Sequence, residues 1–169
     1  MVCPFTYAHL YSGFFDGEGC FLLERKLKQG KVVQLTPKIQ VGVREDDDST
    51  ILEIKRILNC GVVNSQPQSK NSRKNSKPTI TFRVQDLDSL YNVVVDLFNR
   101  YPLRTKKARE FKAWSDVVCL RWAETEEGTK NSEYSSKYLA LFEEAKSVLD
   151  ATRRYPDRII MTRNDGKGK

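Results

Sequence analysis

One short stretch decides the fold of this chain: Tyr11-Ser12-Gly13-Phe14-Phe15-Asp16-Gly17-Glu18-Gly19. It places two carboxylates and three glycines at the end of an otherwise apolar helix. Acidic side chains at a helix C-terminus face the partial negative charge of the terminal carbonyls, so Asp16 and Glu18 predict a cation nearby. A hard divalent cation such as Mg²⁺ suits carboxylate and backbone oxygens. The spacing alone leaves open a plain helix end followed by a tight turn.

The glycines of this stretch predict a close contact between helices. Gly13 and Gly17 stand four residues apart and therefore share one face of the helix. Without side chains on that face, a second helix can approach closely. We predict that Gly19 then reverses the chain at positive φ and that a strand follows over residues 20–27.

The stretch resembles the LAGLIDADG motif of homing endonucleases, with Tyr11 at its first position and Gly19 at its last. Phenylalanines replace the aliphatic pair of the motif, and Glu18 falls on its metal-binding acid. The family's glycine, first acid and final glycine are matched by Gly13, Asp16 and Gly19.

The resemblance implies a metal-dependent nuclease built from two such helices, each placing one acid beside a scissile phosphate. Glu18 and the main chain of Gly17 are the expected metal ligands, for Mg²⁺ or another divalent cation such as Mn²⁺, or Ca²⁺ in a non-cleaving complex. Asp16 is expected to orient the turn, although a metal contact stays open. Because the motif occurs once in this chain, the resemblance implies a homodimer, with an interface formed by Tyr11, Ser12, Gly13, Asp16 and Gly17.

A second unusual segment begins at Pro102, where cations crowd the start of a helix predicted to run from Thr105 to Trp122. Cations oppose the dipole at a helix N-terminus, so an anion is expected close by. The segment resembles the family's Pro-Leu-x-x-Lys-Lys stretch, which implies a catalytic cation, either Arg104 or Lys106. Where the family often has a water-ordering glutamine, this chain has Glu45, a further catalytic candidate.

Alternating residues predict an antiparallel sheet of two hairpins. The first joins residues 20–27 to residues 33–43 through a Lys28-Gln29-Gly30-Lys31 turn, and the second covers residues 62–68 with 79–85. The first hairpin is predicted to carry Arg25, Lys38, Gln40 and Arg44 on one polar face, a mixture suited to phosphates and base edges. The second encloses a loop with four cations and no acid. The predicted DNA contacts are Arg25, Lys26, Lys28, Lys38, Gln40, Arg44, Gln66, Gln68, Lys70, Arg73, Lys74, Lys77 and Arg83.

Helical patterns over residues 50–59 and 87–98 complete an α+β fold with the order αββαββα. Beyond Trp122, where the resemblance fades, a last helix is predicted to start at Ser132 and to cover the core or support the dimer. We therefore predict one LAGLIDADG endonuclease domain over residues 1–154 and a flexible basic tail over residues 155–169.

Composition agrees with a nucleic-acid partner. The 169 residues carry a net charge of +7 and a pI near 9.2, which favours a polyanion. The four cysteines form no C-x-x-C pair and His9 is the single histidine, so zinc binding and Ser-His or Cys-His catalysis are poorly supported. No signal peptide or membrane-spanning run is visible, and we expect an intracellular protein with reduced cysteines, in the cytoplasm, nucleoid or an organelle.

The function implied is an intron-encoded homing endonuclease that cuts both strands of double-stranded DNA as a homodimer. Strands of about eight residues predict a near-palindromic site of roughly sixteen or more base pairs. An intron-RNA splicing maturase would keep the basic sheet but tolerate loss of Glu18, which is present. A non-cleaving DNA-binding regulator would carry an added helix-turn-helix module. No membrane partner is expected.

Overall fold

The computed structural model describes residues 4–66, 78–126 and 134–152. Within them, helices pack against one face of a four-stranded sheet. The strands are β1 (Gly19–Lys28), β2 (Lys31–Arg44), β3 (Val62–Gln66) and β4 (Thr79–Val84). The helices are α1 (Pro4–Glu18), α2 (Asp48–Leu58), α3 (residues 87–100), α4 (Lys106–Glu126) and α5 (Ser136–Thr152). The predicted α+β class and the order αββαββα are confirmed, with α4 and α5 added.

The sheet is antiparallel throughout and has the strand order β1-β2-β4-β3. Between β1 and β2, Gln29 and Gly30 both have positive φ, at 52° and 76°. Two consecutive positive φ values give the tight turn whose twist matches that of the flanking strands. This confirms the hairpin predicted from the Lys28–Lys31 stretch. β4 then lies in the sheet interior, between β2 and β3.

The two faces of the sheet differ in composition. The face toward the helices is apolar, and its register sets Phe21 opposite Ile39 and Val41 opposite Phe82. The other face, called the open face below, carries the alternate residues of each strand, with Gln40 opposite Arg83. Because cross-strand partners point to the same side of a sheet, register assigns each side chain to one face.

The core is a cluster of aromatic rings where α1, α3 and α4 meet the sheet. Phe21 lies at its centre, with ring centroids 5.9 Å from Phe98, 5.7 Å from Phe111 and 5.2 Å from Trp114. Phe15 of α1 packs edge-on against Phe98 at 5.4 Å. The deciding motif therefore anchors its own helix in the core.

The last helix, α5, covers the core by packing along α4. Ser135 caps it, since its Oγ accepts the backbone N–H of Tyr138 at 3.0 Å. The predicted cap, Ser132, lies outside the described residues. The hydroxyl of Tyr134 accepts the backbone N–H of Leu35 at 2.8 Å, on the side of β2 where β4 no longer pairs. This contact gives the Leu35 N–H a hydrogen-bond partner that the sheet does not supply on that side.

Two helices differ in detail from their predictions. α2 starts at Asp48, earlier than predicted, and Asn59 takes the left-handed conformation at its end with φ 50°. Within α3, Leu87–Ser89 and Asp96–Arg100 are α-helical, whereas Leu90–Val95 form a wider π-helical run.

Several predicted features lie outside the described residues. They include the tail over residues 155–169 and the loop contacts Gln68, Lys70, Arg73, Lys74 and Lys77. Among the helices that are described, none combines the length and apolar character needed to cross a bilayer.

Candidate functional site

Helix α1 presents a bare glycine face to the outside. Gly13 and Gly17 are exposed, and a Cβ added at either would meet nothing within 4 Å. Tyr11 and Ser12 do not share this face, which corrects their assignment to a dimer interface. Both are buried within the chain, and the Ser12 Oγ donates to the carbonyl of Tyr101 at 2.9 Å. The helical period explains the difference, since Tyr11 stands one turn before the core residue Phe15.

Asp16 supplies the anion expected at the basic helix start. One of its carboxylate oxygens accepts the backbone N–H groups of Arg104 at 3.0 Å and Thr105 at 3.1 Å, and the other accepts the Thr105 hydroxyl at 2.7 Å. Thr105 in turn accepts the N–H of Lys107 at 3.2 Å and caps α4. The positive end of the α4 dipole also attracts a carboxylate at this N-terminus. Asp16 therefore faces its own chain.

Gly19 is required for close packing, which corrects the predicted positive φ. The described residues with positive φ do not include it. A Cβ at this position would instead lie 2.5 Å from the carbonyl oxygen of Phe15 and 2.8 Å from its ring. Because Gly19 has no side chain, β1 can begin directly after α1 without a clash against Phe15.

Glu18 is the last residue of α1, and its side chain is exposed. Among the described residues it has no hydrogen-bond or ion-pair partner. The final carbonyls of a helix lack partners within the helix, so Glu18 and the Gly17 carbonyl offer oxygen ligands of the type that Mg²⁺ takes. No three Asp, Glu, His or Cys side chains converge on a possible metal position within the described part of the chain. Glu18 and the Gly17 carbonyl therefore have the chemistry of metal ligands without forming a complete site among the described residues.

The two catalytic cation candidates occupy different surroundings. Arg104 lines a groove of about 350 Å³ together with Ser12, Gly13, Asp16 and Pro102. The Lys106 ammonium instead donates a hydrogen bond to the carbonyl of Thr152, the last residue of α5, at 3.0 Å. The structure thus brings Arg104, and not Lys106, to the motif.

Glu45 lies toward the far edge of the sheet. Its carboxylate accepts a hydrogen bond from the Ser65 hydroxyl at 2.9 Å, and Ser65 belongs to β3, the strand farthest from β1. At about 4.8 Å per strand, that edge lies roughly 14 Å from β1. The chain by itself does not join Glu45 to Glu18.

Most of the predicted DNA contacts that lie within the described residues are on the open face, but Arg25 is not. Arg25 pairs with Leu35, a core residue, and its guanidinium contacts Glu143 of α5. It is in phase with Phe21 and Leu23, so the expectation that it shares a face with Lys38 was wrong. The open face does hold Lys26, Lys38, Gln40, Arg44 and Arg83, while Lys28 is exposed near the turn and Gln66 pairs with Thr79 on the edge strand.

One buried ion pair was not predicted from the sequence. Lys107 and Glu110 lie 2.7 Å apart in the first turns of α4, and Glu110 is almost fully buried. Their spacing of three residues on a helix was the available signal. The pair links neighbouring turns at the start of α4, next to the basic segment.

Two of the described cysteines, Cys60 and Cys119, have thiols whose surroundings favour the protonated form. Burial raises the pKa of the Cys60 thiol, and nearby Asp86 adds to that effect. Burial also raises the pKa of Cys119, helped by Asp116. Both thiols are half-buried and free. Burial likewise raises the pKa of the Tyr138 hydroxyl, which favours its neutral form within the core.

Comparison with known proteins settles the family. The LAGLIDADG endonuclease family model matches residues 11–118, from the glycine-rich motif through most of α4. The chain belongs to the LAGLIDADG endonuclease family. The matched region includes the motif, the antiparallel sheet and the basic segment before α4.

Individual LAGLIDADG relatives agree. A protein of Neurospora crassa, "Probable intron-encoded endonuclease 2", is 30% identical over 114 residues, which are 64% of this chain and 23% of that protein. The LAGLIDADG homing endonuclease I-GzeII, solved with its DNA target, matches with a TM-score of 0.63 and 20% identity, over 86% of this chain and 44% of that one. The homing endonuclease I-TnaI matches with a TM-score of 0.59 and 25% identity, over 86% of this chain and 97% of that one. The chain thus spans about a quarter of the curated relative and less than half of I-GzeII.

Proposed function

We propose that this protein is a site-specific, intracellular DNA endonuclease, intron-encoded, that cuts both strands of its target as a homodimer. The observation that carries the proposal is the position of Glu18, exposed and without a partner among the described residues, at the end of the bare face formed by Gly13 and Gly17. A metal-binding acid at the end of an open helix face is half of a cleavage centre. A second copy of the same face would bring the other half.

The comparisons support a two-unit enzyme. The match covers nearly all of I-TnaI but less than half of I-GzeII. A fold that occurs once in one relative and fits half of another is consistent with two units per active assembly. A homodimer supplies the second unit from an identical chain, and isologous symmetry brings the two α1 helices together.

The chemistry would draw on few side chains. Glu18 and the Gly17 carbonyl would hold Mg²⁺, which supplies charge neutralisation at phosphate and lowers the pKa of bound water. Arg104, beside the motif, would donate to a phosphate oxygen on which negative charge develops. Asp16 would hold the Arg104 backbone in place through its hydrogen bonds.

The open face would bind the DNA. Strand β2 has 14 residues, more than the strand length used to estimate the target site from the sequence. At about 3.3 Å per residue it extends along roughly 45 Å, or about thirteen base pairs of 3.4 Å. Two subunits would then read a near-palindrome longer than the roughly sixteen base pairs expected from the sequence.

Cleavage of a random DNA library by wild type and Glu18→Gln, in Mg²⁺ and in EDTA, tests the proposal. Discrete double-strand cuts by the wild type alone, only with Mg²⁺, are expected. Glu144→Gln, an exposed acid on α5, is the matched control and should cut like the wild type. Cutting by Glu18→Gln at the wild-type rate would refute the assignment. No cutting by any protein, with tight binding to intron RNA, would identify a maturase instead.

A further inference from the structure

We propose that Glu24 is a specificity-determining residue, which withholds the Lys38 cation from DNA phosphates and leaves Gln40 and Arg83 to read bases. The inference rests on the proposed function, because it concerns the same DNA-binding face. It predicts that an acid on a basic surface increases discrimination by lowering affinity for the wrong DNA.

The ion pair between Glu24 and Lys38 is the first observation. Lys38 lies on the open face of β2 and pairs across the strands with Leu22, and the Glu24 carboxylate contacts its ammonium. The Lys38 side chain is 8% exposed, whereas that of Glu24 is 59% exposed. The Lys38 side chain is therefore buried against the sheet while the Glu24 carboxylate faces the solvent. An approaching DNA would contact the carboxylate before the ammonium.

The second observation is a pair of polar side chains without partners. Gln40 and Arg83 stand directly opposite each other on β2 and β4. Neither makes a side-chain hydrogen bond or ion pair within the described part of the chain. The Nε of Arg83 is a buried donor with no acceptor there. An unsatisfied arginine beside a free amide suits the base edges of the major groove, where Arg reads guanine and Gln reads adenine.

The charges of these residues give them different roles. Nonspecific affinity rises with the number of phosphates that cations neutralise. A lysine that is nearly buried and already paired gains little from a phosphate, because leaving its carboxylate costs about what the new contact returns. Arg83 has no carboxylate partner within the described residues. It therefore loses no ion pair when it contacts DNA. The Glu24–Lys38 pair thus removes a sequence-independent contact, while the neighbouring pair keeps a sequence-dependent one.

The test is the salt dependence of binding to a nonspecific duplex, measured by fluorescence anisotropy in EDTA between about 50 and 200 mM salt. Glu24→Gln should release Lys38 and make the slope of log K against log salt steeper by about 0.9, the value of one phosphate contact. Over this range the variant should lose about 3.5-fold more affinity than wild type. In a Lys38→Met background, the Glu24→Gln change should lose this effect.

Glu53→Gln is the matched control, because Glu53 pairs with Arg56 at 3.8 Å on α2, a helix on the other side of the sheet. It also frees a cation, and it should leave the slope unchanged. An unchanged slope for Glu24→Gln, with its melting temperature unchanged, overturns the inference. So does weaker binding to the cleavage site alone, which would show that Glu24 contacts a cytosine amino group. If wild type binds no DNA, the proposed function itself fails.

Discussion

Substituting Gly19 by alanine should destabilise the fold, because the space beside this residue is filled by backbone. The added Cβ would lie 2.5 Å from the Phe15 carbonyl oxygen, whereas ordinary contact begins near 3.4 Å. Either β1 or the end of α1 would have to move by about 0.9 Å. Phe15 cannot give way freely, since its ring packs on Phe98 in the core.

Forcing an extra methyl into a packed site costs about 1–3 kcal/mol of unfolding free energy. For a domain of this size, that loss lowers the melting temperature by about 2–12 °C. Urea denaturation of Gly19→Ala at low protein concentration measures the effect on the single chain. An unfolding free energy within about 0.5 kcal/mol of wild type would refute the packing argument.

Gly13→Ala is the matched comparison on the same helix. Its Cβ would meet nothing within 4 Å, and alanine favours a helix interior by about 1 kcal/mol over glycine. The single chain should therefore keep or gain stability, while the proposed dimer should weaken because the added methyl blocks close approach. Sedimentation velocity separates the two effects. A Gly13→Ala protein that dimerises like wild type would contradict the proposed interface.

Four further outcomes are expected. Asp16→Ala leaves the N–H groups of Arg104 and Thr105 without their acceptor, so stability should fall by about 1–3 kcal/mol in urea denaturation. Glu18→Gln should melt within about 0.5 kcal/mol of wild type, because the side chain is exposed; a large shift would mean that Glu18 supports the fold. Cleavage kinetics should show a large loss of rate for Arg104→Met and a small one for Lys106→Met, whose ammonium binds Thr152; the reverse order would make Lys106 the catalytic cation. Iodoacetamide should modify Cys60 and Cys119 more slowly in the folded protein than in urea near pH 8.5, because their pKa values are raised; equal rates would contradict their burial.

Local patterns predicted much of the fold. The alternation of β1 and β2 with a Gln-Gly turn predicted the hairpin, because a turn with two positive φ values is a local property of its residues. The cations after Pro102 correctly predicted a nearby anion. Its identity as Asp16, separated from Thr105 by 89 residues, depends on how α1 docks, which no local pattern contains.

The errors came from contacts between distant elements. Arg25 alternates in phase with Phe21 and Leu23, so the alternation itself assigned it to the core face, but its charge suggested the other. Its partner Glu143 lies on α5, whose position the sequence did not give. The contact between Lys106 and the end of α5 was also beyond local patterns, so the sequence alone left Arg104 and Lys106 as equal candidates for the catalytic cation.

The π-helical run at Leu90–Val95 makes the length of α3 critical. This run contains the buried residues Leu90, Val94 and Val95, and the helix then continues to Phe98. A wide turn of this kind takes up one residue more than a regular α-helix, so converting it to a regular α-helix without removing a residue would rotate everything after it by about 100°. Phe98 would turn away from Phe15 and Phe21, and the segment that carries Arg104 would turn with it. The extra residue held in this wide turn therefore sets how the basic segment lies relative to the core.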